Sequence, residues 1–199
     1  MELSLEGGFA DPVHGAQGAF RALMDALANP GLGQSLGTDM APTDGLSPEL
    51  AAVALSMCDP DTLVWLDPAL AATNAIVAWL RFKTGAPLTS DPARAAFALV
   101  SDVTQVPALG QFALGNAEYP DTSTTIALAL PALSGGPSLT LRGPGINGTR
   151  TISPAGLPAD FVAQWSANRE LFPRGIDLLL VADNAVIGLP RTTRITMEG

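Results

Sequence analysis

Apolar positions in this chain recur first at helical and then at strand spacing. In "DPVHGAQGAFRALMDALANPG" (11–31), Val13, Phe20, Leu23 and Leu27 mark a helical core stripe. Asp11 is placed to cap that helix with Pro12 in its first turn, and Pro30-Gly31 stops it. Ser47-Pro48 opens a second helix reaching about Cys58. "TLVWL" (62–66) is short, apolar and β-rich, which predicts a buried strand. Asp67-Pro68 begins a helical stretch that ends at Gly85. Strands are then predicted at 95–100, 122–130 and 138–143, with a polar, proline-interrupted stretch up to about Pro120. A helix follows at 157–171. "GIDLLLVAD" and "AVIGLP" read as strands paired through a turn at Asn184, and "TTRITM" as a last strand. No internal repeat or linker interrupts the pattern, so residues 1–199 read as one α/β or α+β domain with a mixed sheet and helices outside.

Composition narrows the function classes. No apolar run approaches the roughly 18 residues of a membrane span, so no membrane role is expected. The opening "MELSLEGGFADP" has no basic leader, and the lone Cys58 fits a reducing compartment. Both point to the cytoplasm. The net charge of −9 is uneven. Residues 1–141 hold four basic and fourteen acidic side chains, whereas 142–199 hold six and five. An acidic body repels nucleic acid, but arginines gathered in one quarter of the chain suit either surface carboxylates or a small anion.

Candidate chemistry is sparse. "LRGPGING" (141–148) contains Gly143-x-Gly145-x-x-Gly148, the spacing of a dinucleotide-binding turn. That chemistry needs a helix after the glycines, and "TRTISP" with its β-branched residues and proline is a poor helix start. Pro144 also removes an amide from the loop. A hairpin turn is expected instead, with close approach of the glycine backbone to a ligand as the other reading. One Cys and one His make a zinc site improbable, so no metal is expected. His14 reads as structural or exposed and Cys58 as a small core residue. Lys83, the single lysine, sits where a cation complements a helix C-terminus, so pyridoxal phosphate (PLP) is not expected as a cofactor. Two late stretches remain. "FPRGID" puts Arg174 and Asp177 beside a strand start, and "GLPRTTRI" puts Arg191, Thr192 and Thr193 between strands. Arginines with neighbouring hydroxyls fit phosphoryl or phosphonate oxygens, or equally a structural turn.

Six stretches together resemble the PhnH family of the bacterial carbon–phosphorus lyase system. They are "GFADPVHGAQGAFRALMDALANPG", "DTLVWL", "WLRFKTGAP", "LSGGPSLTLRGPGI", "FPRGIDLLLV" and "GLPRTTRI", in order from residue 8 to residue 195. The resemblance implies a three-layer αβα fold with a mixed central sheet, similar to the large domain of PLP-dependent transferases but without the cofactor lysine. It implies a homodimer and a cytoplasmic complex with PhnG, PhnI and PhnJ subunits. It also implies a role in forming ribose 1-alkylphosphonate 5-triphosphate, in which a phosphonate attacks C1′ of ATP and adenine leaves. The leading expectation is a subunit with no activity alone. The alternative is direct participation, with Arg142, Gly143, Gly145, Arg174, Asp177, Arg191, Thr192 and Thr193 as candidate substrate-binding residues in an arginine-lined cleft. No catalytic residue is assigned. An independent PLP enzyme is the weakest reading, given one lysine.

Overall fold

The computed structural model describes residues 5–37, 40–41 and 45–197. Along the chain the elements are β1 (Gly8–Phe9), α1 (Pro12–Ala28), β2 (Gln34–Ser35), β3 (Met40–Ala41), α2 (Pro48–Met57), β4 (Val64–Leu66), α3 (Pro68–Ala71) and α4 (Asn74–Thr84). Then follow β5 (Leu88–Thr89), β6 (Phe97–Val100), β7 (Thr125–Ala129), β8 (Leu139–Arg142), β9 (Arg150–Ile152), α5 (Phe161–Glu170), β10 (Asp177–Ala182), β11 (Ala185–Leu189) and β12 (Arg194–Met197). The stretch between β6 and β7 forms only short 3₁₀ turns.

Seven strands make a mixed sheet in the order β2-β11-β10-β7-β6-β4-β5. The run from β10 to β5 is parallel, while β11 lies antiparallel to both its neighbours. "DLLLV" lies mid-sheet, and its apolar run is continuous because both faces are covered. Leu179 and Val181 join the core under α1, α2 and α4, whereas Leu178 and Leu180 join the core under α5. The second core is closed by a three-stranded antiparallel sheet, β12-β8-β9, rather than by helices alone. A mixed α/β architecture around a large mixed sheet is thus the observed class.

Several helix ends follow the sequence. The Asp11 carboxylate accepts from the Val13 and His14 amides, and Ser47 Oγ accepts from the Leu50 amide. Gly85, at φ 71°, closes α4 in a left-handed cap. Other expectations need correction. The buried stripe of α1 is Ala19, Ala22, Leu23 and Ala26, while Val13 and Phe20 are 62% and 46% exposed. Small residues face the sheet because the helix lies close: a Cβ on Gly188 of β11 would meet the Ala26 carbonyl carbon at 2.5 Å. The helical stretch expected from Asp67 to Gly85 is broken into α3 and α4, with Thr73 as the non-helical cap of α4. Asp67 is fully buried and joins strand ends: its Oδ2 accepts from the Ser101 hydroxyl at 2.8 Å and from the Asp102 amide at 3.0 Å.

Candidate functional site

The candidate residues converge on the short loop between β11 and β12. On one side of that loop, Arg191 reaches back to the start of β10. Its Nε donates to Asp177 Oδ1 at 3.1 Å and its Nη2 to Asp177 Oδ2 and Ser123 Oγ. Its Nη1 donates to the Pro120 carbonyl at 2.7 Å and to the Pro173 carbonyl at 3.4 Å. The Arg191 amide also donates to Asp177 Oδ1, at 2.7 Å. The side chains are 12% and 18% exposed. One guanidinium thus ties the segments around 120–123, 173 and 177 to the loop, with its charge neutralised by a bidentate carboxylate. Arg174 stands next to this node and is itself exposed, with its amide bonded to the Leu171 carbonyl at 3.0 Å.

On the other side, Thr192 and Thr193 back onto Gly143. A Cβ there would lie 3.2 Å from the Thr192 carbonyl oxygen and 3.3 Å from Thr193 Cα. Thr193 is fully buried, and its carbonyl accepts from Trp165 Nε1 at 2.8 Å. Its Oγ1 finds no hydrogen-bond partner among the described residues. The next residue, Arg194, lies directly across from Arg142, and both are exposed. Arg194 is the site residue that the sequence reading passed over. Alternation in "TTRITM" marks it as facing away from Ile195, but only the strand register puts it opposite Arg142.

Gly145 departs from the group. Residues 143–148 turn β8 into β9, an antiparallel hairpin, so the dinucleotide reading fails where expected: a strand follows the glycines. Gly145 has φ 78°, and a Cβ there would strike the Ala28 carbonyl oxygen and come within 2.7 Å of Pro30. It serves the contact with the end of α1. Nearby, Arg150 Nη1 donates to the Pro30 carbonyl at 2.6 Å. The structure therefore joins Asp177 with Arg191, and Arg142 and Gly143 with Thr192, Thr193 and Arg194.

The remaining reactive groups lie elsewhere. Cys58 is buried at the end of α2, and burial, with Asp59 adding to it, pushes its thiol up to about 12. Lys83 is exposed in the last turn of α4, 5.9 Å from the centre of the Phe82 ring. His14 is exposed and hydrogen-bonded to Asp11 at 2.8 Å. A cavity of about 440 Å³ lies between the 103–109 segment and α5, lined chiefly by apolar side chains with Thr104, Asp160 and Gln164. Among the described residues, no three or more His, Cys, Asp and Glu side chains are grouped to hold a metal ion. Nor is any helix there long and apolar enough to cross a membrane.

Comparison with known proteins agrees with the six matching stretches. The family model described as "Bacterial phosphonate metabolism protein (PhnH)" matches residues 7–196. The chain belongs to the PhnH family. It is 50% identical over 192 residues to "Alpha-D-ribose 1-methylphosphonate 5-triphosphate synthase subunit PhnH" of Rhizobium meliloti (strain 1021), covering 96% of each chain. It is also 36% identical over 86 residues to "Putative C-P lyase subunit protein HtxG" of Stutzerimonas stutzeri, covering 43% of this chain and 44% of that one.

Proposed function

We propose that this chain is a non-autonomous subunit of the carbon–phosphorus lyase core complex, needed to make α-D-ribose 1-methylphosphonate 5-triphosphate from ATP and methylphosphonate. The observation that carries this reading is the end-to-end 50% identity to a protein named as a subunit of that synthase. The site agrees with it. The best-formed polar cluster, Arg191–Asp177, has its charge and donors consumed within the fold and offers no free nucleophile, acid or base. On this reading the chain works in the cytoplasm as a homodimer with PhnG, PhnI and PhnJ subunits. The layered α/β arrangement supports a likeness to the large domain of PLP-dependent transferases, with the fold kept for assembly rather than for cofactor chemistry.

A second reading, direct binding of nucleotide or phosphonate, is favoured by one observation. Arg142 and Arg174 are exposed and have no ion-pair partner among the described residues. Reconstitution distinguishes the two. Synthase turnover of ATP with methylphosphonate is expected only when this chain is combined with the partner subunits, and calorimetry on the chain alone is expected to give no ATP heat. Turnover by the chain alone would refute the subunit reading. Saturable ATP binding abolished by Arg142→Ala would favour the second reading.

A further inference from the structure

The small sheet β12-β8-β9 has two unlike faces. Leu139, Leu141, Ile152 and Ile195 point into the core. On the other face, register places Arg194 opposite Arg142, and the next row aligns Thr196, Thr140 and Thr151. Residues opposite one another in an antiparallel pair project to the same side, so the two guanidinium groups share one exposed surface. Like charges directly across strands repel and destabilise the pairing. Among the described residues no carboxylate pairs with either: the ion pairs there are His14–Asp11 and Arg191–Asp177.

The strands themselves, 139–142, 150–152 and 194–197, hold three arginines and no acidic residue, in a chain of net charge −9. Arg150 is accounted for, since it donates to the Asn29 and Pro30 carbonyls. Arg142 and Arg194 have no such partner among the described residues. A local rule broken without a gain inside the fold points to a gain outside it. The face is a pleated sheet surface, whereas small-ligand sites are concave. The acidic body also disfavours a nucleic acid occupant.

We infer that Arg142 and Arg194 form a docking pair for an acidic segment of a partner subunit. This rests on the reading of the chain as part of a complex. Opposite charge on the partner would turn the cross-strand repulsion into a shared attraction on binding.

The test is assembly of the full chain with its co-expressed partner subunits, comparing wild type, R142Q/R194Q, R142E/R194E and the distant charge reversal R21E. Assembly is expected to weaken with salt, to fall about tenfold for the glutamine pair and at least a hundredfold for the glutamate pair, and to be unchanged for R21E. The melting temperature of the isolated R142Q/R194Q chain is expected to stay level or rise. Assembly of R142E/R194E within twofold of wild type would overturn the inference alone, whereas failure of the wild type to assemble would overturn the subunit reading itself. A fall of several degrees in the R142Q/R194Q melting temperature would make the pair structural. Loss of ATP binding with assembly intact would make it a ligand site, and loss of self-association alone would make its occupant a second copy; each overturns the proposal.

Discussion

Arg191 and Arg194 are three residues apart and meet opposite fates. Arg191 turns inward, and its donors are taken by one carboxylate, one hydroxyl and two carbonyls. Arg194 turns outward, faces a second arginine, and gains no carboxylate partner among the described residues. Both lie in "PRTTR", where composition and hydropathy treat them alike. The difference comes from what the fold brings to each position. The parallel strand β10 delivers Asp177 to Arg191, and the antiparallel strand β8 delivers Arg142 to Arg194. Residue type therefore names the possible chemistry, and strand register decides whether it serves the fold or remains for a partner.

The strongest way to break this comparison is to remove the inward charge. Arg191→Met keeps much of the side-chain volume but strands the Asp177 carboxylate and the carbonyls of Pro120 and Pro173. Removing one partner of a buried ion pair costs about 3–5 kcal/mol, and here, with both side chains slightly exposed, about 3 kcal/mol is expected. Chemical denaturation should show it as a lower midpoint at unchanged slope. In the double mutant with Asp177→Leu much of the loss should be regained, since no charge is then left unpaired. A loss below about 0.5 kcal/mol, the level of a surface substitution, would mean that Arg191 is not the clamp its bonds suggest.

The same distinction explains what was legible in the sequence. The ends of α1, α2 and α4 were readable because caps are local: Asp11, Ser47 and Gly85 act on neighbours within four residues. The hairpin at 143–148 was readable because β-branched residues and a proline follow the glycines. The core face of α1 was half legible: Leu23 and Leu27 pack into the core as expected, whereas Val13 and Phe20 are exposed because the close approach at Gly188 favours alanines there. That contact spans more than 150 residues of sequence, and spacing carries no trace of it. The clustering of arginines after residue 141 was visible, but the separation of Arg191 from Arg142 depends on sheet order. The strands β1, β2, β3 and β5 were missed because two residues give no period to read.

A middle-sized effect is expected at Thr193, between the two arginines. Its hydroxyl is buried without a partner among the described residues, and an unmet buried donor costs about 1–3 kcal/mol. Thr193→Val keeps the shape and removes that group, so a gain of about 1 kcal/mol is expected in thermal or chemical unfolding. Synthase activity of the reconstituted complex should be unchanged if Thr193 belongs to the inward, structural side. Higher stability with lost turnover would instead assign the hydroxyl to a ligand and move the boundary between the two sides of the loop.

The smallest effect sharpens the role of burial. The Asp11 carboxylate and the His14 ring are joined by a short hydrogen bond, at 2.8 Å, but it is exposed. The hydrogen bond from the His14 side chain holds the Asp11 carboxyl below its ordinary range, with backbone amides helping. A depressed folded value means that the carboxylate adds stability above the ordinary carboxylate pKa, and that this is lost as pH falls through the folded value. Asp11→Asn keeps an equally good helix cap while removing the charge. Wild type should therefore melt slightly above Asp11→Asn near neutral pH, and the gap should close below about pH 3.8, the usual carboxylate value. Melting curves of the two proteins from pH 6 to pH 3 check this. A gap as large as that for Arg191→Met would show that hydrogen-bond length rather than burial sets the worth of these charges, and the contrast between the inward and outward arginines would lose its physical basis.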